Sequence, residues 1–135
     1  METINHECYV SLDVAKLLKE AGFDWKCRKC YNKGVLFDME PDEIRTQIPQ
    51  HSSYDILAPT LEVAQRWLRE VKDIDVYIFP TTNNKRGCVY EWGIKTFGRA
   101  LWVEGQPYTN QYETYEEAQE AGIKKTLEII LEKGK

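Results

Sequence analysis

The chain has 135 residues, of which 30% are charged and 42% hydrophobic, and its formal net charge is −4. That length suits one ordinary domain able to bury most of its apolar surface, and the composition is that of a globular chain. A net acidic balance excludes general binding to nucleic acid or anionic membrane, because both need a dominant basic field. No apolar run approaches the ~20 residues of a membrane-spanning helix.

Charge is nevertheless uneven. Residues 76–112 carry Lys85, Arg86, Lys95 and Arg99 against Glu91 and Glu104, so that region is locally basic. Residues 1–7 are acidic and lack the basic-then-apolar order of a signal peptide. Four cysteines in a chain of this length are too few for a disulfide scaffold. A cytoplasmic setting with reduced thiols is the expectation.

The first predicted element is a helix capped by Ser11, with Asp13 in its first turn and Val14, Leu17, Leu18 and Ala21 on one face. Gly22 followed by Phe23 is a helix stop of the Schellman type. Cys27 to Tyr31 and Val35 to Phe37 then suit the arms of a hairpin, with Asn32-Lys33-Gly34 as its turn. Residues 38–57 contain Pro41, Pro49, Ser52 and Ser53 and read either as a linker, with a subdomain boundary in 38–58, or as a functional lid; the linker is favoured because few candidate catalytic side chains fall there.

Thr60 caps a second helix whose core face is Leu61, Ala64, Trp67, Leu68 and Val71, with Gln65, Arg66, Arg69 and Lys72 opposite. After Asp75 the apolar period changes from 3.6 to 2, and Val76 to Phe79 starts a sheet. Residues 81–87 form a polar loop. Cys88 to Phe97 alternates as a strand, with Cys88, Tyr90, Trp92 and Ile94 on one face, and Ala100 to Val103 is a further strand. The last helix opens on Thr114 and Glu117 as a capping box and buries Ala118, Gly122, Ile123, Leu127, Ile130 and Leu131.

Sequential strands with short turns imply an antiparallel meander covered by helices. The expected fold is therefore α+β, a C-terminal α-β-β-β-α order preceded by a small αββ unit, all within one domain.

Enzyme signatures are absent: no nucleophile elbow, phosphate-cradling loop, zincin helix or dinucleotide fingerprint occurs. His6 and His51 are the only histidines, so imidazole acid–base chemistry has little to work with. No catalytic residue and no cofactor is expected.

Two chemistries remain. Cys27 and Cys30 have the two-residue spacing that lets both thiolates reach one metal, and His6 with Cys8 would complete a four-ligand structural zinc site. The same segment, 25–33, is the densest basic patch: Lys26, Arg28, Lys29 and Lys33 interleaved with Trp25 and Tyr31. Basic side chains beside aromatic ones can hold single-stranded nucleic acid by phosphate contact and base stacking, more so if Lys85 and Arg86 lie nearby.

The helix, three strands, helix order that ends in Tyr115-Glu116-Glu117-Ala118-Gln119-Glu120-Ala121-Gly122 is similar to that of a double-stranded-RNA-binding domain. The positions that carry lysines onto phosphates in that family are Glu116, Glu117 and Glu120 in this chain, the wrong charge for the task. Three phrases together carry another resemblance. They are Tyr9-Val10-Ser11-Leu12-Asp13-Val14-Ala15-Lys16-Leu17-Leu18-Lys19-Glu20-Ala21-Gly22-Phe23-Asp24, Ala58-Pro59-Thr60 leading to Trp67-Leu68-Arg69-Glu70-Val71, and Thr114-Tyr115-Glu116-Glu117-Ala118. The set resembles small proteins of unknown function carried by phages and mobile elements of gut bacteria. That resemblance implies an accessory protein of a mobile element and supplies no activity, ligand or catalytic residue.

The leading expectation is thus a non-enzymatic interaction protein whose partner is another protein. Sixteen aromatic residues are more than a core this size readily hides, so Tyr77, Tyr90, Trp92, Trp102, Tyr108 and Tyr112 are candidates for a binding face. Nucleic-acid binding through the 25–33 hairpin and a structural zinc at Cys27 and Cys30 are the alternatives.

Overall fold

The computed structural model describes residues 8–39, 55–96, 102–104 and 111–133. Its elements run α1 (Leu12–Glu20), β1 (Lys29–Asn32), β2 (Val35–Asp38), β3 (Asp55–Leu57), α2 (Leu61–Val71), β4 (Ile74–Asn83), β5 (Gly87–Thr96), β6 (Trp102–Glu104) and α3 (Tyr115–Lys133). The fold is α+β, with two antiparallel sheets ordered β2-β1-β3 and β4-β5-β6.

The local signals act where the sequence puts them. Ser11 Oγ accepts from the Val14 amide at 3.3 Å and Thr60 Oγ1 from the Val63 amide at 3.2 Å, so each hydroxyl covers an amide the helix leaves open. At the end of α1 the Phe23 amide donates to Leu18 and the Gly22 amide to Lys19, while Gly22 sits at φ 95°. That is the Schellman pattern, and it needs the left-handed backbone glycine supplies. At α3, Thr114 Oγ1 accepts from the Glu117 amide at 3.1 Å. The Glu117 carboxylate takes the Thr114 hydroxyl at 2.9 Å, not the backbone amide a capping box implies.

Other sequence expectations are corrected. The linker is shorter at both ends, since Asp38 closes β2 and Asp55–Leu57 forms β3 against β1; the front unit is α1 with three strands. Residues 40–54 of the expected linker, with Pro41, Pro49 and His51, lie outside the described residues. The polar loop at 81–87 shrinks to Asn84-Lys85-Arg86, because Thr81, Thr82 and Asn83 continue the β4 ladder opposite Val89, Cys88 and Gly87. Val71, the last residue of α2, is 48% exposed and so is not part of the core face.

One core joins the front and back units. Val14 and Leu18 of α1, Trp67 and Leu68 of α2, Val76 of β4, and Ile123 and Leu127 of α3 share a single buried cluster with Val10 and Phe23. Trp67, only 1% exposed, meets Phe23 edge-on at 5.4 Å. A buried tryptophan removes ~150–250 Å² from water, the largest single contribution an α2 residue can make. Tyr31, Leu36 and Ile56 pack on the same cluster from the first sheet.

The helices are also tied by polar groups. Gln65, read from the sequence as a solvent-face residue, is half-buried; its amide donates to the Val76 carbonyl, and its own carbonyl accepts from Gln119 Nε2 at 2.8 Å. Gln119 is 3% exposed, so this chain satisfies a buried amide while linking α3, α2 and β4. Glu120 accepts from the Ser11 amide at 2.6 Å, joining α3 to the start of α1.

Gly122 is where α3 meets the second sheet. A Cβ there would lie 2.8 Å from Val76 Cγ1 and 3.0 Å from Trp92 Cβ, so only hydrogen fits. Trp92 is thereby part of the core under α3, while Tyr77 lies across Gly93 on the other face and stacks on Phe79 at 5.9 Å. Replacing Gly122 by Ala would add about 1 kcal/mol of helix propensity but cost roughly 1–3 kcal/mol in overpacking. Net destabilisation is the expected outcome of urea unfolding, with Gly122→Val worse. Gly122→Ala in a Val76→Ala background should lose less than the two changes added separately, because the two side chains compete for the same space.

Candidate functional site

Ala58 and Pro59 carry the chain from β3 into α2, and the Cys8-Tyr9 segment is laid beside them. Val10 donates to the Pro59 carbonyl at 3.1 Å and Leu61 to the Cys8 carbonyl at 2.8 Å. Lys26, Cys27 and Arg28, the approach to β1, form the facing wall, and the first turn of α3 closes the end. Between them lies an open cleft of about 720 Å³.

Its apolar surface comes from Ala58, Leu61, Val63 and Tyr115, and its charges from Lys26 and Arg28 against Glu62 and Glu116. The cations and acids are equal in number. Tyr115, 42% exposed, is held edge-on against Tyr90 at 5.9 Å, which fixes the aromatic at the cleft. Two helix N-termini, those of α2 and α3, meet at this place.

The residues singled out in the 25–33 hairpin are dispersed by the fold. Lys26 and Arg28 face the cleft. Trp25 is half-buried against the core, with its ring 6.4 Å from Phe23. Tyr31 packs on the same core and donates its hydroxyl to the Val10 carbonyl at 2.7 Å. Lys29 pairs with Asp38 at 3.1 Å and sits 5.0 Å from the Tyr9 ring centre. Lys33 occupies the turn at φ 51°. Lys85 and Arg86 belong to the turn of the other sheet, where Arg86 meets Glu113 at 3.6 Å; neither lines the cleft. The basic and aromatic side chains therefore do not form one stacking platform.

The thiols are divided in the same way. Cys8 and Cys88 are exposed, while Cys27 and Cys30 are buried; Cys8 and Cys27 share the cleft. Among the described residues no group of three or more His, Cys, Asp or Glu is placed to hold a metal ion. His6, the remaining proposed ligand, lies outside the described residues. Burial pushes the Cys27 thiol up to about 12, and the neighbouring Cys30 adds to the shift. Cys27 Sγ donates to the Trp25 carbonyl at 3.5 Å, as a protonated thiol does. The Tyr31 phenol is also raised, first by burial and then by Glu120.

Sequence reading missed Tyr9, Leu61, Glu62, Val63, Tyr115, Glu116 and Gln119 as cleft residues. Both helix starts were visible through Thr60 and Thr114, but nothing in the order of residues says that starts 54 positions apart meet. Trp92 is withdrawn from the candidate binding face, being 8% exposed; Tyr108 and the Trp102 side chain lie outside what is described. Among the described residues no helix is long and apolar enough to cross a membrane. Compared with known protein families, with characterised proteins and with solved structures, the chain matches none.

Two thiols are expected to react at once with a disulfide reagent at neutral pH, those of Cys8 and Cys88, and two only after denaturant is added. Because Cys27 and Tyr31 hold their protons more tightly folded than unfolded, the unfolded chain binds fewer protons once pH exceeds about 9. Folding stability is then highest below that pH and falls as pH rises toward 12. Urea midpoints between pH 8 and 11 should fall more gently for Cys27→Ala than for the parent; equal slopes would show that Cys27 does not carry the effect.

Proposed function

We propose that this chain is a small non-enzymatic interaction protein that uses the cleft to grip a segment of a partner protein. The observation that carries this reading is the cleft's make-up: an apolar floor with an exposed tyrosine, rimmed by two cations and two acids. Protein contacts combine an apolar, aromatic centre with a polar rim of both signs. A nucleic-acid groove instead needs positive charge in excess along its length and aromatic faces open to bases. Here Glu62 and Glu116 offset Lys26 and Arg28, while Trp25 and Tyr31 turn to the core. A phage or mobile-element setting accords with the sequence resemblance.

The test uses the exposed thiols as reporters. A photo-crosslinker on Cys8, in a Cys88→Ser background, should capture a defined protein from host cells, whereas the same probe on Cys88 should not. Glu62→Arg, a charge reversal on an exposed residue of the cleft, should abolish that capture without unfolding the chain. Oligonucleotide titrations at low and moderate salt run alongside. Tight binding that collapses with salt and is lost in Lys26→Glu/Arg28→Glu would replace the protein-binding reading with the nucleic-acid one.

A further inference from the structure

Among the described residues β2 pairs with β1 and with no other strand, so it forms one edge of its sheet. Exposed edges are normally guarded, because their unpaired amides and carbonyls invite another strand. This edge is guarded weakly. It displays Val35 and Phe37, 54% and 51% exposed, on one face, and its only charges are Lys33 at one end and Asp38 at the other.

The backbone phase of β2 follows from its pairing. Met39 donates to the Arg28 carbonyl, and the register sets Phe37 opposite Cys30 and Val35 opposite Asn32. Hydrogen-bonded pairs alternate along an antiparallel ladder, so Val35, Phe37 and Met39 turn their backbone groups toward β1. Leu36 and Asp38 turn theirs outward.

We infer that two copies of this chain pair through β2, antiparallel about a two-fold axis at Leu36, to give one continuous six-stranded sheet. Three independent features select this arrangement. Placing Leu36 opposite Leu36 of the second copy lets two outward-facing residues exchange both hydrogen bonds. The same register sets Val35 opposite Phe37 of the other copy at the sites between bonded pairs, where side chains approach most closely. It also brings the Asp38 end of each strand to the Lys33 end of the other; a parallel pairing would set like charges together. Asp38 keeps 80% of its side chain exposed despite its bond to Lys29, so it has acceptor capacity left for a second cation. The interface uses none of the cleft's residues and stands or falls separately from the protein-binding reading.

The test is the mass of the full chain, followed by light scattering and sedimentation over a wide concentration range. The parent should move from 15.8 kDa toward twice that value as concentration rises. Val35→Lys/Phe37→Lys sets lysine against lysine at both symmetric sites and should weaken the dimer about tenfold or more. Val35→Lys/Phe37→Glu sets lysine against glutamate in the proposed register only, and should recover most of that loss. Both changes fall on exposed side chains, and circular dichroism confirms that each variant is folded. A parent that stays monomeric up to roughly 1 mM overturns the proposal, as does a dimer that Val35→Lys/Phe37→Lys leaves intact. A dimer that Val35→Lys/Phe37→Glu weakens as much as Val35→Lys/Phe37→Lys does overturns the register, and with it the two-fold at Leu36.

Discussion

The close approach of α3 to β4 and β5 at Gly122 is the constraint on which the rest of the structure hangs. With no side chain there, the helix backbone comes down onto Val76 and Trp92, and a methyl group would already clash. That depth buries Ile123 and Leu127 in the same cluster as Val14, Leu18 and Trp67. It also sets the level at which Gln119 reaches Gln65, and Gln65 reaches the Val76 carbonyl. A higher helix would leave the buried Gln119 amide without its partner, at a cost of about 1–3 kcal/mol. Packing and polar satisfaction thus demand the same spacing.

The cleft is a consequence of that docking. α3 begins at Tyr115, where its first turn stands beside the first turn of α2, and Cys8-Tyr9 is held there by bonds to Pro59 and Leu61. Glu120, one turn further along, accepts the Ser11 amide and anchors α1 to the same end of α3. Three elements distant in sequence thereby present their starting turns together. Charge at this place is balanced, with Lys26 and Arg28 set against Glu62 and Glu116.

The basic hairpin shows why side-chain composition is an incomplete guide to a surface. Residues 25–33 hold four cations and two aromatics, but a strand sends neighbours to opposite faces. Tyr31 therefore goes to the core, where its hydroxyl finds Val10, while Cys30 and Phe37 take the other face. The CxxC spacing is similarly divided, with Cys27 lying before the strand and Cys30 within it, both buried and Cys27 held protonated. Spacing along the chain brought the thiols near one another; only the fold assigned the medium around them.

What the sequence determined by itself is the set of elements whose signals are local. Ser11, Gly22, Thr60 and Thr114 act within four residues of themselves, and their hydrogen bonds form as their chemistry requires. Periodicity over one or two turns was enough to put Leu61, Ala64, Trp67 and Leu68 inside, and alternation to make residues 88–96 a strand. The tertiary structure decided the rest: that Asp55–Leu57 joins β1, that Gln65 turns inward, that Val71 is left in water, and that Cys8, Arg28, Glu62 and Tyr115 share one cleft. Each of these depends on a partner tens of residues away. Short strands and helix ends have too little periodicity to declare a face, and burial is a property of whatever packs against them.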